Sequence, residues 1–241
     1  MSFSGKTAYI TGASGGIGSR VARRLCEAGC RTVLFWHNDD FAVKLAEELG
    51  AGAYAVRADV SDLGSVSAAF AEAERLAGGA DILVNNAGVA LVKLLQDCTE
   101  ADFDRVTGVD LKGVFNCCKC ALPHMINVKS GSIINVSSMW GSVGASCEVL
   151  YSAAKSGVIG LTRALAKEVG PSGITVNCIA PGVIDTPMNS AFSAGDMAAL
   201  AEETPMGRIG TPDDVALAVL YLADAPFVTG QVLGVDGGFT L

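Results

Sequence analysis

Seven short runs rich in aliphatic and β-branched residues recur along the chain, and longer stretches with helical spacing lie between most of them. No other feature constrains the fold as much. The runs are KTAYI, RTVLFW, AYAVRA, DILVNN, SIINVS, ITVNCIA and QVLGVD. The helical stretches fall near 16–28, 40–49, 62–77, 101–125, 150–169 and 212–223. Strands apolar on both faces and separated by helices imply a parallel sheet covered on both sides. Right-handed crossovers wind such a sheet outward from a central point. The expectation is an α/β fold, a single Rossmann-type doubly wound parallel sheet of about seven strands with helices on both faces. Half of the 241 residues are hydrophobic and 17% are charged, enough for a sizeable core. No linker or repeat interrupts the alternation, so 1–241 is expected to be one domain. The irregular segment 181–212, which carries most of the prolines, is expected to cover a substrate site.

Composition excludes several classes. The net charge is −8 without a basic block, which argues against nucleic acid, where clustered cations must meet phosphates. No run of about 18 apolar residues indicates a membrane span. The start, MSFSGKTAYITGASGG, has no signal-peptide pattern, and a cytoplasmic location is expected. The eight cysteines are scattered through apolar segments. Cys117 and Cys120 form a C-x-x-C without a second ligand pair, and there are only two histidines, so no metal is expected.

Chemistry-bearing residues collect at strand ends. In YITGASGGIGSRVARRL, Gly12, Gly16 and Gly18 follow a strand and open a helix. Such glycines let backbone approach a pyrophosphate, which the helix N-terminus stabilises. A merely structural turn is the alternative, because the spacing is G-x-x-x-G-x-G. In DILVNNAGVA, Asn85, Asn86, Ala87 and Gly88 end the fourth strand beside the first, where small residues leave room for a flat ligand. Asp59 could accept a hydrogen bond from an adenine amino group, or cap the next helix in competition with Ser61. In VSSMWGSVGASCEVLYSAAKSG, Tyr151 and Lys155 stand one helical turn apart, with Ser138 ending the fifth strand. A surface Tyr beside a solvated Lys is the plain alternative. If the three heads share the carboxyl edge, the Lys cation favours phenolate and lowers the phenol pKa toward the range useful for acid–base work. A serine hydroxyl there can bind a substrate oxygen and share its developing charge.

TGASGGIG, NNAG, Ser138, YSAAK, PGVIDTPM, PMGRIGTPDDVA and TGQVLGVDGG, in this order, resemble the short-chain dehydrogenase/reductase family over the whole length, and within it the 3-oxoacyl-acyl-carrier-protein reductases. The resemblance implies ketone reduction, with Tyr151 as general acid, Lys155 on the nicotinamide ribose and Ser138 orienting the carbonyl. It implies cofactor contacts from Ser14, Gly15, Gly16, Ile17 and Gly18, from Trp36 and His37, from Asp59 and Val60, and from Asn86, Ala87 and Gly88. Pro181 and Gly182 join them, with Ile184 and Thr186 flanking the nicotinamide amide. Asp110, in VDLKGVF, stands where relatives carry an Asn that bends the helix and relays protons to the Lys; a backbone role survives the change. The resemblance also implies a homotetramer.

NAD-specific relatives carry an acid at the end of the second strand, where this chain has Trp36 followed by His37. Asp39 and Asp40 begin the next helix instead. With no acid to repel a 2′-phosphate, NADP(H) is favoured, with NAD(H) as the alternative, although the arginine of many NADP-dependent glycine loops is Gly15 here. Carrier-protein reductases dock their acidic partner through two basic residues, which fall at Lys129 and Ser172, so that steering is weakened. SSMWGSVGASCEVLYSAAK also resembles a subgroup that reduces an aminopentanone on a lysine of elongation factor P. Glu148 could meet an amine near that ketone, or be a solvated loop carboxylate. The substrate is thus expected to be a small-molecule, carrier-linked or protein-linked ketone. A cofactor-binding regulatory protein without turnover is the alternative of another class.

Overall fold

The apolar runs become strands because each is buried from both sides. In the computed structural model, which describes residues 3–38, 40–190 and 193–241, they are β1 (Thr7–Thr11), β2 (Arg31–Trp36), β3 (Ala53–Arg57), β4 (Ile82–Asn85), β5 (Gly131–Val136), β6 (Ile174–Pro181) and β7 (Val232–Val235). They form one sheet in the order β3-β2-β1-β4-β5-β6-β7, with every pairing parallel. The winding reverses between β1 and β4, and ligands bind beyond the carboxyl ends of strands at such a point.

The helices are α1 (Gly16–Glu27), α2 (Phe41–Leu49), α3 (Leu63–Ala77), α4 (Glu100–Thr107), α5 (Gly113–Val128), α6 (Trp140–Val143), α7 (Val149–Val169), α8 (Ala194–Glu203) and α9 (Pro212–Ala223). α3, α5 and α7 bury one face of the sheet; α1, α2 and α9 bury the other. On the first face Tyr9, Phe35 and Phe70 meet with ring centroids 5.1–5.4 Å apart. Cutting one such buried ring to alanine costs roughly 3–5 kcal/mol. A buried polar chain crosses the same core. Asn85 Nδ2 donates to Asn135 Oδ1 at 2.8 Å, and Asn135 Nδ2 donates to Thr162 Oγ1 at 2.9 Å, tying β4, β5 and α7 together.

Helix ends follow local rules. Thr211 caps α9 with Asp214 in a reciprocal box and Pro212 at the first position, and Thr99 and Asp102 do the same for α4. α3 is capped by Asp62, whose carboxylate accepts from Ser65 N at 2.8 Å, so neither Asp59 nor Ser61 takes that role. The predicted helix 101–125 is broken by a π-helical turn, Gly108–Lys112, between α4 and α5. Helical periodicity does not register one extra residue in one turn. That turn carries Asp110 inward, to complete burial. α6 was not among the expected helices; its four residues are too few for a periodic signal.

Candidate active site

Thr11, at the end of β1, organises the switch point. Its hydroxyl accepts the backbone N–H groups of Asn86 and Ala87, each at 3.0 Å. Asn86 returns its amide to the carbonyls of Thr11 and Gly12, both at 3.1 Å. This fixes NNAG against the glycine turn. Gly12 has φ +63°, and a Cβ there would stand 2.8 Å from Ala87 Cα, so both conformation and space demand glycine. Asn85 faces the core rather than the loop. Thr11 was absent from the residues singled out by sequence; a hydroxyl on the last strand residue beside the glycine turn is the signal for it.

The glycine turn delivers the N-terminus of α1. Gly15 is its N-cap, no side chain caps the first turn, and no acid lies within it. The buried Ser14 hydroxyl lacks a hydrogen-bond partner. Uncapped N–H groups, an orphaned hydroxyl and a backbone without side chains fit an anionic pyrophosphate. A cleft of about 420 Å³ opens there, lined by Ser14, Gly16, Ser19, Asp40, Lys44 and Pro187. Thr186 closes one side, its Cγ2 2.8 Å from where a Cβ on Gly16 would lie. Ile184 is a core side chain at 3% exposure, and its carbonyl accepts from Asn189, so any ligand contact falls to the rest of its backbone. Pro181 ends β6 and its carbonyl accepts from Met139 N. Gly182 packs on Asp236.

Beyond β2 and β3, Trp36 is partly buried against the α1–α2 side of the sheet. His37 lies 3.7 Å from Asp59. Asp59 Oδ1 accepts from Ser61 N and Ser61 Oγ, and those hydrogen bonds hold its carboxyl below the usual range. Val60 is buried, with its carbonyl accepting from Asn116. Asp40 is the N-cap of α2. Asp39 lies outside the described residues.

Ser138, Tyr151, Lys155 and Asp110 come together where β4 and β5 end and α7 begins. Lys155 is 3% exposed; its Nζ donates to the Val136 carbonyl at 3.1 Å and stands 5.5 Å from the centroid of the Tyr151 ring. The Ser138 hydroxyl accepts Trp140 N at 3.2 Å and faces the phenol, whose pKa it draws down. Asp110 Oδ1 accepts from Val89 N at 2.8 Å, and its buried Oδ2 has no partner. Gly88 packs close to both Asp110 and Lys155. A Cβ on it would lie 3.0 Å from Asp110 Oδ1 and 3.3 Å from Lys155 Nζ.

Burial opposes the Lys155 ammonium, yet Asp110 and Tyr151 hold its pKa above the ordinary lysine value. Burial pushes the Asp110 carboxyl up, against the pull of Lys155 and the Val89 N–H. The expectation of a lowered phenol is corrected. Burial raises the Tyr151 pKa and outweighs Lys155, while Asp110 and Glu148 push the same way. Sequence spacing brings the cation near, but the desolvation exists only once the core has closed.

Glu148 is half-buried at the start of α7, and burial raises its carboxyl. The preceding loop is pinned by Lys93 N donating to the Cys147 carbonyl at 2.7 Å. Lys129 ends α5 just before β5, and Ser172 precedes β6. Gly173 packs on the Lys129 carbonyl. Both positions therefore lie at the amino edge of the sheet, opposite the edge that carries Tyr151. Among the described residues no group of three or more His, Cys, Asp or Glu could hold a metal ion, and no helix is long and apolar enough to cross a membrane.

Comparison with known proteins finds relatives over nearly the whole chain. The family model described as enoyl-(acyl carrier protein) reductase matches residues 12–240. (2S)-[(R)-hydroxy(phenyl)methyl]succinyl-CoA dehydrogenase subunit BbsD of Thauera aromatica is 41% identical over 250 residues, covering 100% of this chain and 99% of that protein. The 3-oxoacyl-[acyl-carrier-protein] reductase FabG of Staphylococcus aureus is 40% identical, covering 97% of each. A crystal structure from Agrobacterium tumefaciens, described as that of a "putative gluconate dehydrogenase", superposes with a TM-score of 0.94 at 32% identity, covering 99% of this chain and 97% of that one. With a family match over nearly its whole length and full-length relatives that are dehydrogenases and reductases, the chain belongs to the short-chain dehydrogenase/reductase family of oxidoreductases acting on CH–OH and ketone groups.

Proposed function

We propose that the protein is an NADPH-dependent ketone reductase of 3-oxoacyl-reductase type, with Ser138, Tyr151 and Lys155 as its catalytic residues. Members of the family use NAD(H) or NADP(H). When bound, the nicotinamide supplies the hydride. The carbonyl oxygen of the substrate then gains negative charge, which Ser138 Oγ meets with a hydrogen bond. Tyr151 Oη gives that oxygen its proton, and the Lys155 ammonium stabilises the phenolate left behind. A phenol whose pKa is raised by burial stays protonated at neutral pH, as a donor in reduction must be. The observation that carries the reading is this convergence of hydroxyl, phenol and buried ammonium on the edge that also presents the uncapped α1 N-terminus.

For the substrate, the likeness to FabG, whose name specifies a 3-oxoacyl-[acyl-carrier-protein], favours a 3-oxoacyl group. The half-buried Glu148, three residues before Tyr151, favours as a second reading a protein-linked aminoketone such as the aminopentanone on elongation factor P. In the same proposal the chain is one domain working in the cytoplasm as a homotetramer, with 181–212 covering the substrate. Residues 191 and 192 of that segment lie outside the described ones.

The test follows NADPH oxidation with a 3-oxoacyl thioester and with the aminoketone-bearing factor. Tyr151→Phe is expected to cut either rate by about 10²–10⁴-fold at unchanged NADPH affinity. A variant retaining the wild-type rate would overturn the catalytic assignment. Glu148→Gln slows only the aminoketone at neutral pH if the second reading holds, and leaves the thioester rate at neutral pH unchanged in either case.

A further inference from the structure

Arg57 is the last residue of β3 and pairs in register with Trp36, the last residue of β2. Its guanidinium carbon lies 5.9 Å from the centre of the Trp36 ring, and its Nε donates to the His37 carbonyl at 3.1 Å. These contacts carry an arginine from the edge strand across to the tip of β2. An acid at that tip would select a ribose 2′-hydroxyl, and a nearby arginine accommodates a 2′-phosphate.

The neighbouring charges are already engaged. Lys44 pairs with Asp40 at 3.1 Å, and His37 lies beside Asp59 at 3.7 Å. Arg57 has no carboxylate partner among the described residues, and its two terminal nitrogens make no hydrogen bond there. The indole and the His37 carbonyl orient the planar group while leaving its fork free. A preoriented fork loses less side-chain entropy on meeting an anion than a solvated one does, and it matches phosphate geometry with two parallel donors.

We propose that Arg57, held against Trp36 and the His37 carbonyl, is the residue that recognises the 2′-phosphate of NADP(H), replacing the arginine that Gly15 lacks. The inference rests on the reading of the protein as a nicotinamide-dependent reductase and names the chain's own determinant of cofactor choice. It differs from a glycine-loop arginine in origin, because the cation comes from β3, the edge strand of the sheet.

The test is direct binding without substrate. NADPH and NADH are each titrated into the purified wild-type chain, Arg57→Ala and Arg57→Lys, by calorimetry, with thermal melting as the folding control. Loss of a charge-assisted pair is expected to weaken NADPH by about ten- to a hundredfold in Arg57→Ala and to leave NADH essentially unchanged. Arg57→Lys regains part of the NADPH affinity, because charge survives while the fork does not. In the wild type, NADPH affinity falls with added salt more steeply than NADH affinity. Equal losses for both nucleotides would mean that Arg57 only supports Trp36, and would overturn the inference. An unchanged NADPH affinity in Arg57→Ala would overturn it too. Either result leaves the reductase reading standing, whereas a wild-type chain binding neither nucleotide would overturn both.

Discussion

Asp110 puts a carboxyl into a place where Lys155 and Tyr151 both feel it. Its carboxylate raises the phenol pKa and helps hold the ammonium charged. The other groups acting on Tyr151 are Lys155 and Ser138, which lower it, and Glu148, which raises it. Asp110→Asn removes one raising influence and keeps the acceptor that holds Val89 N–H. In the proposed mechanism a phenol that has lost its proton cannot act as a donor, so the rate of reduction is expected to fall at high pH. With Asp110 neutralised, that fall is expected at lower pH than in wild type. A pH–rate profile of reduction reads the shift. An unmoved alkaline limb would mean that Asp110 acts only through backbone geometry.

At the scale of elements, the contact between the glycine turn and NNAG is so close that it leaves no room for a methyl group. A Cβ on Gly18 would overlap the Gly12 carbonyl and stand 2.6 Å from Asn86 Nδ2, the amide that fixes both segments. Gly18→Ala must push α1 away from β4 or displace Asn86. Overpacking of this kind costs roughly 1–3 kcal/mol. For a chain of this size that lowers Tm by about 2–4 °C per kcal/mol. Thermal melting together with nucleotide titration would check it: both stability and cofactor affinity should fall. Unchanged affinity would mean that the α1 N-terminus is not the pyrophosphate site.

Across the whole molecule, α1 and α9 are joined by Arg20 and Arg24 converging on Asp213 at 2.7 and 2.6 Å. Hydrogen bonds from Arg24 and Arg20 hold the Asp213 carboxyl well below the usual range. A carboxyl whose folded pKa is depressed contributes stability above its unfolded value, and that contribution is lost as pH falls toward the folded one. The group is partly exposed, so solvent screens the effect. Between about pH 5 and 2 the Tm of the wild type should fall, and Asp213→Asn should fall less steeply from a lower starting point. Parallel melting curves across that range would show that this junction does not contribute to acid sensitivity.

The order of strands and helices was readable from sequence because burial on both faces of a parallel sheet leaves continuous apolar runs, and helix periodicity survives between them. TGASGGIG, NNAG and the Tyr151–Lys155 spacing were readable for a related reason. A backbone that must approach a ligand, or two side chains one turn apart, needs particular residues at short and fixed separations. The sign of the Tyr151 shift was not readable, because desolvation by burial is a property of the closed core and outweighed the neighbouring cation. Nor was the holding role of Thr11, and although the resemblance implied a bend at Asp110, helical periodicity alone did not show the π-helical turn that makes it. Arg57 was the most hidden: it is 20 residues from His37 in the chain, and only the pairing of β2 with β3 lays it against Trp36. Local spacing encodes what neighbours in the chain can do together, while charges and contacts that cross the sheet exist only when the strands have paired.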